Sequence, residues 1–414
     1  MTDVCVHGLG YVGLPTATLF ASAGYGVHGV DVDERVVERI RGGRLPGIEE
    51  TLAERVEAAL GRERLGLSTT PVVAAHHVIC VPTPLTAAGD PEFAPLDAAS
   101  DAVSEVLREG DTVVVESTVP PGTTATRVGE ALASSGLAAG GEFSLAYCPE
   151  TALPGRMIAE IRGNDRVIGG VTDESTAAAV ALYGPAITGE IHRCPDPTTA
   201  EFVKLLQNTH RMANVALANE FARLADGFGV DSRVSIALAN THPRVEILEP
   251  GLGVGGHCLP IDPLFLTQAT DGNSLIERAL AVNDSMVGFV AGLLSEHLDG
   301  LSGSTVTILG VSYKANVTDT RESPALALAE RLTEEAATVR LHDPCVTEGS
   351  LDLLPLGDAL SDADALVLAT DHDEYVSLDP RTASERMRGR LVVDCRGLFD
   401  PAEWHRHGLT VRTV

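Results

Sequence analysis

The chain has 414 residues, enough for about three domains at roughly 150 residues each. It carries 58 acidic and 30 basic residues, for a formal charge of −28. Such a charge repels phosphate backbones and anionic lipid, so we exclude a nucleic acid polymer and a membrane as partners. The 44% hydrophobic content predicts a folded chain despite the charge.

The basic residues are almost all arginine, since only Lys204 and Lys314 are lysines. A GC-rich genome would explain the arginine but not the excess of acid. Acid excess with little lysine is typical of a protein kept soluble in concentrated salt, which screens its self-repulsion. We therefore expect a halophilic protein.

Seven cysteines are spread over the chain without a CxxC pair, which argues against a disulfide framework and predicts no metal site. The sequence shows no signal-peptide pattern at its start and no apolar run long enough to span a membrane. These features predict a reducing, cytoplasmic location.

The first 33 residues predict one β-loop-α-β unit, with strands over 4–7 and 27–32 around a helix over 15–23. Further short apolar strands are predicted over 78–81 and 113–116. This alternation is expected of a parallel, doubly wound sheet.

The glycines of the first loop form a GxGxxG motif, Gly8, Gly10 and Gly13, between a strand and a helix. Such glycines let a pyrophosphate approach the backbone at a helix N-terminus. Asp31 follows about twenty residues later, where an acid can accept hydrogen bonds from ribose hydroxyls. Because that acid would repel the 2′-phosphate of NADP, the motif predicts NAD as cofactor.

The middle of the chain predicts a long helix over 200–225, with Thr198 or Thr199 as N-cap, and a second helix over 274–297. The last third repeats the alternation of the first, with strands over 305–309, 338–341, 365–369 and 391–393 and a helix over 324–336. We predict an α/β fold of two Rossmann-like, doubly wound parallel-sheet domains joined by a central α-helical domain. The expected boundaries are 1–195, 196–298 and 299–414.

Two loops rich in Pro, Thr and Gly, at 81–84 and 116–123, follow predicted strands at the carboxyl edge where such sheets bind ligands. Turn formation alone would also explain their composition. Having two such loops on one edge favours a binding site.

Cys258 lies in a loop with four nearby glycines, which favours a nucleophile over a buried structural thiol. Lys204 and Asn208 are four residues apart and share a helix face. Since all the other Lys and Arg positions are arginine, the two lysines indicate positions where a flexible amine is needed.

Seven motifs carry a resemblance that covers essentially the whole chain. They are GLGYVGLP from Gly8, VPTP from Val81, ESTVPPGTT from Glu116, YCPE from Tyr147, Lys204 with Asn208, GVGGHCLPIDP from Gly253 and KANVTDTRESPA from Lys314. Their order and spacing resemble the UDP-glucose/GDP-mannose dehydrogenase family. These enzymes oxidise the C6 alcohol of a nucleotide sugar to a carboxylate with two NAD⁺, and the resemblance implies polysaccharide biosynthesis.

The resemblance implies a catalytic role for six residues. Cys258 would attack the C6 aldehyde to form a thiohemiacetal and then a thioester, and Lys204 and Asn208 would stabilise the oxyanion. Asp262 and Thr118 would position a water, with Glu150 helping in thioester hydrolysis.

It also implies two binding sets and a homodimer built on the helix from Pro197. Besides the glycines, the residues that would hold NAD are Tyr11, Val12, Asp31, Thr83, Thr118 and Arg321. Those that would hold the UDP-sugar are Leu153, Lys204, Asn208, Arg211, His242, Arg244, Gly255, Tyr313, Lys314 and Arg396. Arg244 is also a candidate for reaching across a dimer interface.

Within the family, residues 147–156, 164–166 and 242–245 are similar to the branch that acts on UDP-N-acetylhexosamines. Thr151 and Ala152 depart from the Arg-Val expected after Pro149-Glu150. UDP-N-acetyl-D-mannosamine is the first candidate substrate, UDP-N-acetylglucosamine or -galactosamine the second, and UDP-glucose the third.

Two other classes stay open. A two-electron β-hydroxyacid dehydrogenase would share the first domain and a catalytic lysine, but would use neither Cys258 nor a second Rossmann-like domain. A non-enzymatic nucleotide sensor on the same fold would not depend on the thiol.

Overall fold

The computed structural model describes the chain except for residues 1, 44, 46–48, 87–88, 153–155, 269–273 and 347–350. The chain divides into two compact units, Met1–Gln207 (unit 1) and Asn208–Val414 (unit 2). The three-domain division expected from the sequence stays a prediction.

The first half of the chain contains most of the strands. Its elements are β1 (Val4–His7), α1 (Gly13–Ser22), β2 (Val27–Val30), α2 (Glu34–Arg41), α3 (Glu50–Gly61), β3 (Leu65–Ser68), β4 (His76–Ile79), α4 (Ala94–Ser104), β5 (Thr112–Val115), a π-helical turn (Thr124–Val128), α5 (Gly129–Leu132), a 3₁₀ turn (Ala133–Ser135), β6 (Ser144–Tyr147), α6 (Met157–Gly163), β7 (Arg166–Gly170), α7 (Asp173–Tyr183), β8 (Ile191–Arg193) and α8 (Pro197–Phe228).

The second half begins with helices and ends in a second sheet. Its elements are α9 (Ser232–Ala239), α10 (Asp262–Thr267), α11 (Leu275–His297), β9 (Thr305–Leu309), α12 (Pro324–Glu334), β10 (Thr338–His342), α13 (Leu356–Leu360), β11 (Ala365–Leu368), α14 (Asp373–Val376), α15 (Pro380–Arg386), β12 (Leu391–Asp394), α16 (Pro401–Arg406) and β13 (Thr410–Thr413).

Unit 1 holds an eight-stranded sheet in the order β3-β2-β1-β4-β5-β6-β7-β8. Its first six strands are parallel and follow the Rossmann order 3-2-1-4-5-6. β7 then pairs antiparallel with β6, so the expectation of a parallel sheet is wrong at this one pair. Apolar strand residues pack under helices on both faces, with Val6 and Val114 in the cluster on one face and Val113 and Val115 in the cluster on the other, as a doubly wound sheet requires.

Unit 2 holds a five-stranded, fully parallel sheet in the order β10-β9-β11-β12-β13, the other common doubly wound order. The strand order reverses between β9 and β11, which places a crevice at their carboxyl ends. Helix α11 packs on this sheet through Met286, Val290 and Leu294. The predicted fold class, two Rossmann-like sheets with helices between them in sequence, is confirmed.

The long helix α8 begins earlier than predicted, at Pro197, because Asp196 and not a threonine caps it. The Asp196 carboxylate accepts a hydrogen bond from the Thr199 amide at 2.7 Å. Proline at the first helical position needs no amide partner, so the Asp-Pro pair starts the helix efficiently. The N-cap expectation for Thr198 or Thr199 is therefore wrong.

None of the helices in the described part of the chain has the length and apolar character needed to cross a bilayer.

Two histidines are buried on one face of the first sheet. His7 on β1 and His77 on β4 have ring nitrogens 3.2 Å apart. Burial, with His77 and then His28 nearby, lowers the pKa of His7 to about 3. Burial and His76 lower the pKa of His77 to about 4. Both rings are therefore neutral in the folded protein at neutral pH.

These shifts predict acid sensitivity of unit 1. An unfolded histidine binds a proton below pH 6.5, while folded His77 does so only near pH 4, so its stabilising contribution is present above pH 6.5 and is lost as the pH falls towards 4. Between pH 7 and 5, the Tm of a His77→Gln variant should fall by about 2–4 °C less than that of the wild type. Thermal unfolding at constant salt measures this, with the exposed His405→Gln as control. Equal drops in variant and wild type would contradict the expectation.

Candidate active site

The glycine loop of unit 1 is tightly packed at its two ends and open in its middle. Gly8 has a φ of 87°, and a Cβ on it would lie 2.9 Å from the Cys80 carbonyl oxygen. A Cβ on Gly13 would lie 1.8 Å from the Gly8 carbonyl oxygen. A Cβ on the exposed Gly10 would meet no described atom within 4 Å. The space beside the start of α1 is therefore open to a ligand.

The first turn of α1 fits an anionic ligand. Its N-cap residue, Val12, makes no side-chain cap hydrogen bond, and the turn contains no acidic residue, so neither a side-chain acceptor nor a negative charge competes with a pyrophosphate at the start of this helix. Tyr11 is half exposed beside them. Asp31 accepts hydrogen bonds from the amides of Leu9 at 2.9 Å and Asp33 at 3.0 Å. The second lone pair on each of its oxygens can accept from ribose hydroxyls, so these residues fit NAD.

The loops after β4 and β5 meet at the carboxyl edge, as their composition suggested. The Thr83 hydroxyl donates to the Thr118 carbonyl at 2.5 Å, and the Ser117 hydroxyl donates to the Val81 carbonyl at 2.7 Å. The Thr83 side chain is thereby held on the loop after β5, and the loop that carries it follows β4 at the strand-order switch of unit 1, next to the glycine loop.

Lys204 and Glu150 form a buried pair in unit 1. Lys204 projects from α8, and its Nζ donates to the backbone carbonyl of Glu150 at 2.7 Å. The Glu150 carboxyl is buried too and accepts from the Ala152 amide. Burial raises the pKa of Glu150, while Arg166 and Lys204 oppose this rise. A carboxyl with a raised pKa is suited to moving protons near neutral pH.

In unit 2, Cys258 is exposed, in contrast to the other cysteines. Cys5, Cys80, Cys148 and Cys395 are buried, which suits structural thiols, and Cys194 and Cys345 are half-buried. Burial raises the pKa of Cys5 to about 11 and that of Cys148 to about 12. Among the described residues no disulfide is present.

The glycines around Cys258 are required by close packing. Gly256 has a φ of 82°, and a Cβ on it would lie 2.8 Å from the Tyr313 ring. A Cβ on Gly255 would lie 2.2 Å from the Glu322 carbonyl oxygen. The loop therefore lies directly against the 313–322 segment, and the predicted roles of Gly255 and Tyr313 fall at one place.

Asp262 and Asn208 stand beside the cysteine loop. The Asp262 amide donates to the Cys258 carbonyl at 2.8 Å and begins α10. The Asn208 side-chain amide donates to the buried Asp262 carboxylate. The structure of unit 2 thus brings together three of the six predicted catalytic residues.

A neutral Tyr313 and a charged Arg321 belong to the segment that packs against this loop. Burial, Asp319 and Cys258 raise the pKa of Tyr313 to about 12. The Arg321 guanidinium pairs with Asp319 at 2.6 Å, which raises the pKa of Arg321. Arg321, predicted to contact NAD, is held in place by this pair.

The segment that carries Lys314 is anchored by a residue that the sequence did not single out, His372. Its Nδ1 accepts from the Asn316 amide at 3.0 Å, and its Nε2 donates to Asp343 at 3.1 Å. Burial raises the pKa of Asp343, but hydrogen bonds from His372 and the loop amides hold it well below its usual range. The only sequence signal for His372 is its position after β11, at the strand-order switch of unit 2.

The remaining predicted substrate residues are exposed: Arg211, His242, Arg244 and Arg396. His242 Nδ1 accepts from the Arg244 amide at 3.3 Å, and Arg396 pairs with Asp371 at 2.7 Å. Leu153 lies outside the described residues.

Arg233 on α9 is a second residue that sequence reasoning missed. One of its terminal nitrogens donates to the carbonyls of Pro250 at 2.7 Å and Cys395 at 3.0 Å. It therefore fixes the start of the cysteine loop to the end of β12, beside Arg396. No sequence signal marks it, since it is one of 28 arginines.

Comparison with known proteins finds three family models along the chain. Family models of the UDP-glucose/GDP-mannose dehydrogenase family match its NAD-binding domain at residues 2–187, its central domain at 198–285 and its UDP-binding domain at 307–401.

Individual relatives match along the whole chain. The UDP-N-acetyl-D-mannosamine dehydrogenase of Methanococcus maripaludis is 38% identical over 99% of this chain and 96% of the relative. The NDP-N-acetyl-D-galactosaminuronic acid dehydrogenase of Ralstonia nicotianae is 38% identical over 96% of each chain. The solved structure of a UDP-D-ManNAc dehydrogenase from Pyrococcus horikoshii superposes with a TM-score of 0.93 at 39% identity, covering 100% of this chain and 99% of that one.

The open glycine loop with its acid, together with the UDP-binding domain match, defines an NAD-dependent dehydrogenase that acts on nucleotide sugars. The chain belongs to the UDP-glucose/GDP-mannose dehydrogenase family.

The open space at Gly10 yields a prediction. A Gly10→Ala methyl meets no described atom within 4 Å but occupies the open space beside the start of α1. We expect an unchanged Tm and NAD⁺ binding weakened at least about tenfold, equivalent to 1.4 kcal/mol, by calorimetric titration. Gly61→Ala in α3, which also has open space around its Cβ, is the matched control and should bind as the wild type does. Unchanged NAD⁺ affinity in Gly10→Ala would place the cofactor elsewhere.

Proposed function

We propose that this protein oxidises the C6 hydroxyl of a UDP-N-acetylhexosamine to a carboxylate, with UDP-N-acetyl-D-mannosamine as substrate and UDP-N-acetyl-D-mannosaminuronate as product. The observation that carries the proposal is the exposed Cys258 in a loop packed against Tyr313, with Asp262 and Asn208 beside it. The names of the relatives from Methanococcus and Pyrococcus support the mannosamine sugar. UDP-N-acetylglucosamine, UDP-N-acetylgalactosamine and UDP-glucose are the alternatives.

The reaction removes four electrons in two steps at one carbon. Bound NAD⁺ supplies the acceptor for each hydride. After the alcohol becomes an aldehyde, the Cys258 thiolate adds to C6, and the resulting thiohemiacetal is oxidised to a thioester. Water cleaves the thioester, releasing the carboxylate and the free thiol. One sugar, two NAD⁺ and one water thus give one carboxylate, two NADH and three protons.

The other residues stabilise charge and move protons. Lys204 and Asn208, one helical turn apart on α8, donate to the oxyanion that forms at C6. Asp262 and Thr118 position the attacking water. Glu150, whose pKa is raised by burial, takes a proton from that water during hydrolysis.

Binding uses local positive charge in an acidic protein. We assign the UDP-sugar to Leu153, Arg211, His242, Arg244, Gly255, Tyr313, Lys314 and Arg396, together with Lys204 and Asn208. NAD is assigned to the glycine loop with Tyr11, Val12, Asp31, Thr83, Thr118 and Arg321. Arginines bind a pyrophosphate by paired hydrogen bonds, which a formal charge of −28 elsewhere does not prevent over short distances.

A second copy of this chain is the proposed partner. In unit 2, Leu217, Phe221, Leu224 and Phe228 lie on one face of α8 at helical spacing, and all are exposed. The neighbouring α9 exposes Val230 just before it, and Val234 and Leu238 along it. Apolar stripes of this kind are typical of an interface between subunits, and a homodimer would cover them.

The setting of the enzyme follows from the same features. A cysteine nucleophile and NAD⁺ fit a reducing cytoplasm, and the acidic, lysine-poor surface fits concentrated salt. A sugar uronate is a building block of acidic glycans, so we place the reaction in polysaccharide biosynthesis.

The NADH yield tests the reaction. With a panel of UDP-sugars in concentrated KCl, we expect two NADH per molecule of UDP-N-acetylmannosamine, followed by absorbance. Cys258→Ser should lower kcat on the order of 1,000-fold or more, while the matched Cys194→Ser variant retains activity. One NADH per sugar would indicate a two-electron dehydrogenase. Unchanged turnover in Cys258→Ser would exclude the thiol mechanism, and activity on UDP-glucose alone would change the substrate.

The dimer is tested by solution mass. Light scattering after size exclusion should give twice the 43.3 kDa mass of the chain. The double variant Leu217→Arg/Leu224→Arg places two charges in the stripe and should yield monomers. Val376→Arg, an equally apolar and exposed position on α14, is the control and should remain dimeric. A monomeric wild type would overturn the proposal.

A further inference from the structure

A buried polar network lies next to the Pro149–Glu150 segment of unit 1. Its centre is Glu116, which directly follows β5. The Glu116 carboxylate accepts hydrogen bonds from the hydroxyls of Thr16 at 2.7 Å and Tyr183 at 2.8 Å. The Cys80 thiol also donates to it, at 3.2 Å. The cationic partner of Glu116 is Arg166, whose Nη1 lies 3.6 Å from Glu116 Oε1, and both side chains are at most 1% exposed.

Arg166 holds two backbone segments at once. Its Nη1 donates to the Pro149 carbonyl at 3.0 Å, and its Nη2 donates to the Ile161 carbonyl at 3.2 Å. The next carbonyl after Pro149, that of Glu150, accepts from Lys204 at 2.7 Å. Two cations from different elements, β7 and α8, therefore hold consecutive peptide groups of one segment.

Only an arginine can make this pair of contacts. A guanidinium has donors that diverge in a fixed plane, while a lysine amine is a single point and cannot reach both carbonyls and the Glu116 carboxylate. The arginine also faces the Glu150 carboxyl, where its charge opposes the effect of burial. Thr16, in the helix that follows the glycine loop, connects the same network to the NAD site.

We propose that Arg166, held by Glu116, is a positioning residue that fixes the Pro149–Glu150 backbone and tunes the ionisation of Glu150 for thioester hydrolysis. This rests on the proposed function, in which Glu150 takes the proton of the hydrolytic water. The groups that face Glu150 are Arg166 from β7, Lys204 from α8, Glu116 after β5 and Cys80 after β4. Without the Arg166 charge, Lys204 is the one cation left in this set, and the other two groups, Glu116 and Cys80, carry no positive charge.

The kinetic test uses Arg166→Met, Arg166→Lys and the exposed Arg193→Met as control. In Arg166→Met we expect kcat to fall roughly 10- to 100-fold while KM for the UDP-sugar stays near that of the wild type. The acid limb of the pH–rate profile should move up by about one pH unit or more, because Glu150 loses a nearby cation. Arg166→Lys should restore the position of the acid limb but not kcat.

Hydrogen exchange tests the positioning without any turnover. Peptides covering 148–152 should exchange faster in Arg166→Met than in the wild type or Arg193→Met. If Arg166→Met folds poorly, the double variant Glu116→Gln/Arg166→Met, which leaves no unpaired buried charge, takes its place in both measurements.

The outcomes separate the two proposals. A wild type that oxidises no UDP-sugar overturns the proposed function, and hydrogen exchange then still decides the structural role of Arg166. An active wild type whose Arg166 variants keep the wild-type exchange rates and the wild-type acid limb overturns the role of Arg166 alone.

Discussion

Glu116 and Arg166 are charged groups that water does not reach, and the arrangement of unit 1 depends on their staying paired. Removing two ions from water is costly, and only good geometry with further hydrogen bonds offsets that cost. Here the bonds come from Thr16, Tyr183 and the Pro149 carbonyl, which belong to the cofactor helix, to α7 and to the segment after β6. The pair therefore ties together parts of unit 1 that are far apart in the chain.

The acidic composition and the chemistry of the ligands are compatible because the cations are few and local. Lys204 is buried on a backbone carbonyl, and Arg233 and Arg166 each bridge two carbonyls. These cations are held by dipoles inside the protein, where salt screens them little. The surface acids face the solvent and act on solubility, so the two populations of charge serve separate purposes.

The sequence predicts local features well and long-range ones poorly. Strands such as β1 and β9 have the predicted bounds, because a short apolar run before a glycine is a local signal. β3, β8 and β13 are not predicted because little of each is fully buried, so they lack that signal. β6 and β7 are mostly buried and are not predicted either. The position of Cys258 among glycines was visible in the sequence. The anchoring by His372, Arg233 and Arg166 was not, since each acts on carbonyls or amides distant in the chain.

Both sheets contain the same hydrogen bond between a carboxylate and a loop amide, and it serves a different purpose in each. In each, an acid beyond the second strand of the fold accepts from an amide of the loop after the first strand: Asp31 from Leu9, and Asp343 from Val311. Asp343 also binds His372, so it is fully committed to the fold, whereas Asp31 keeps lone pairs for a ligand. Redesigning the enzyme for a phosphorylated cofactor would therefore require more than exchanging Asp31. The same substitution releases the Leu9 amide, so a second residue would have to rebuild the loop before the new specificity could be useful.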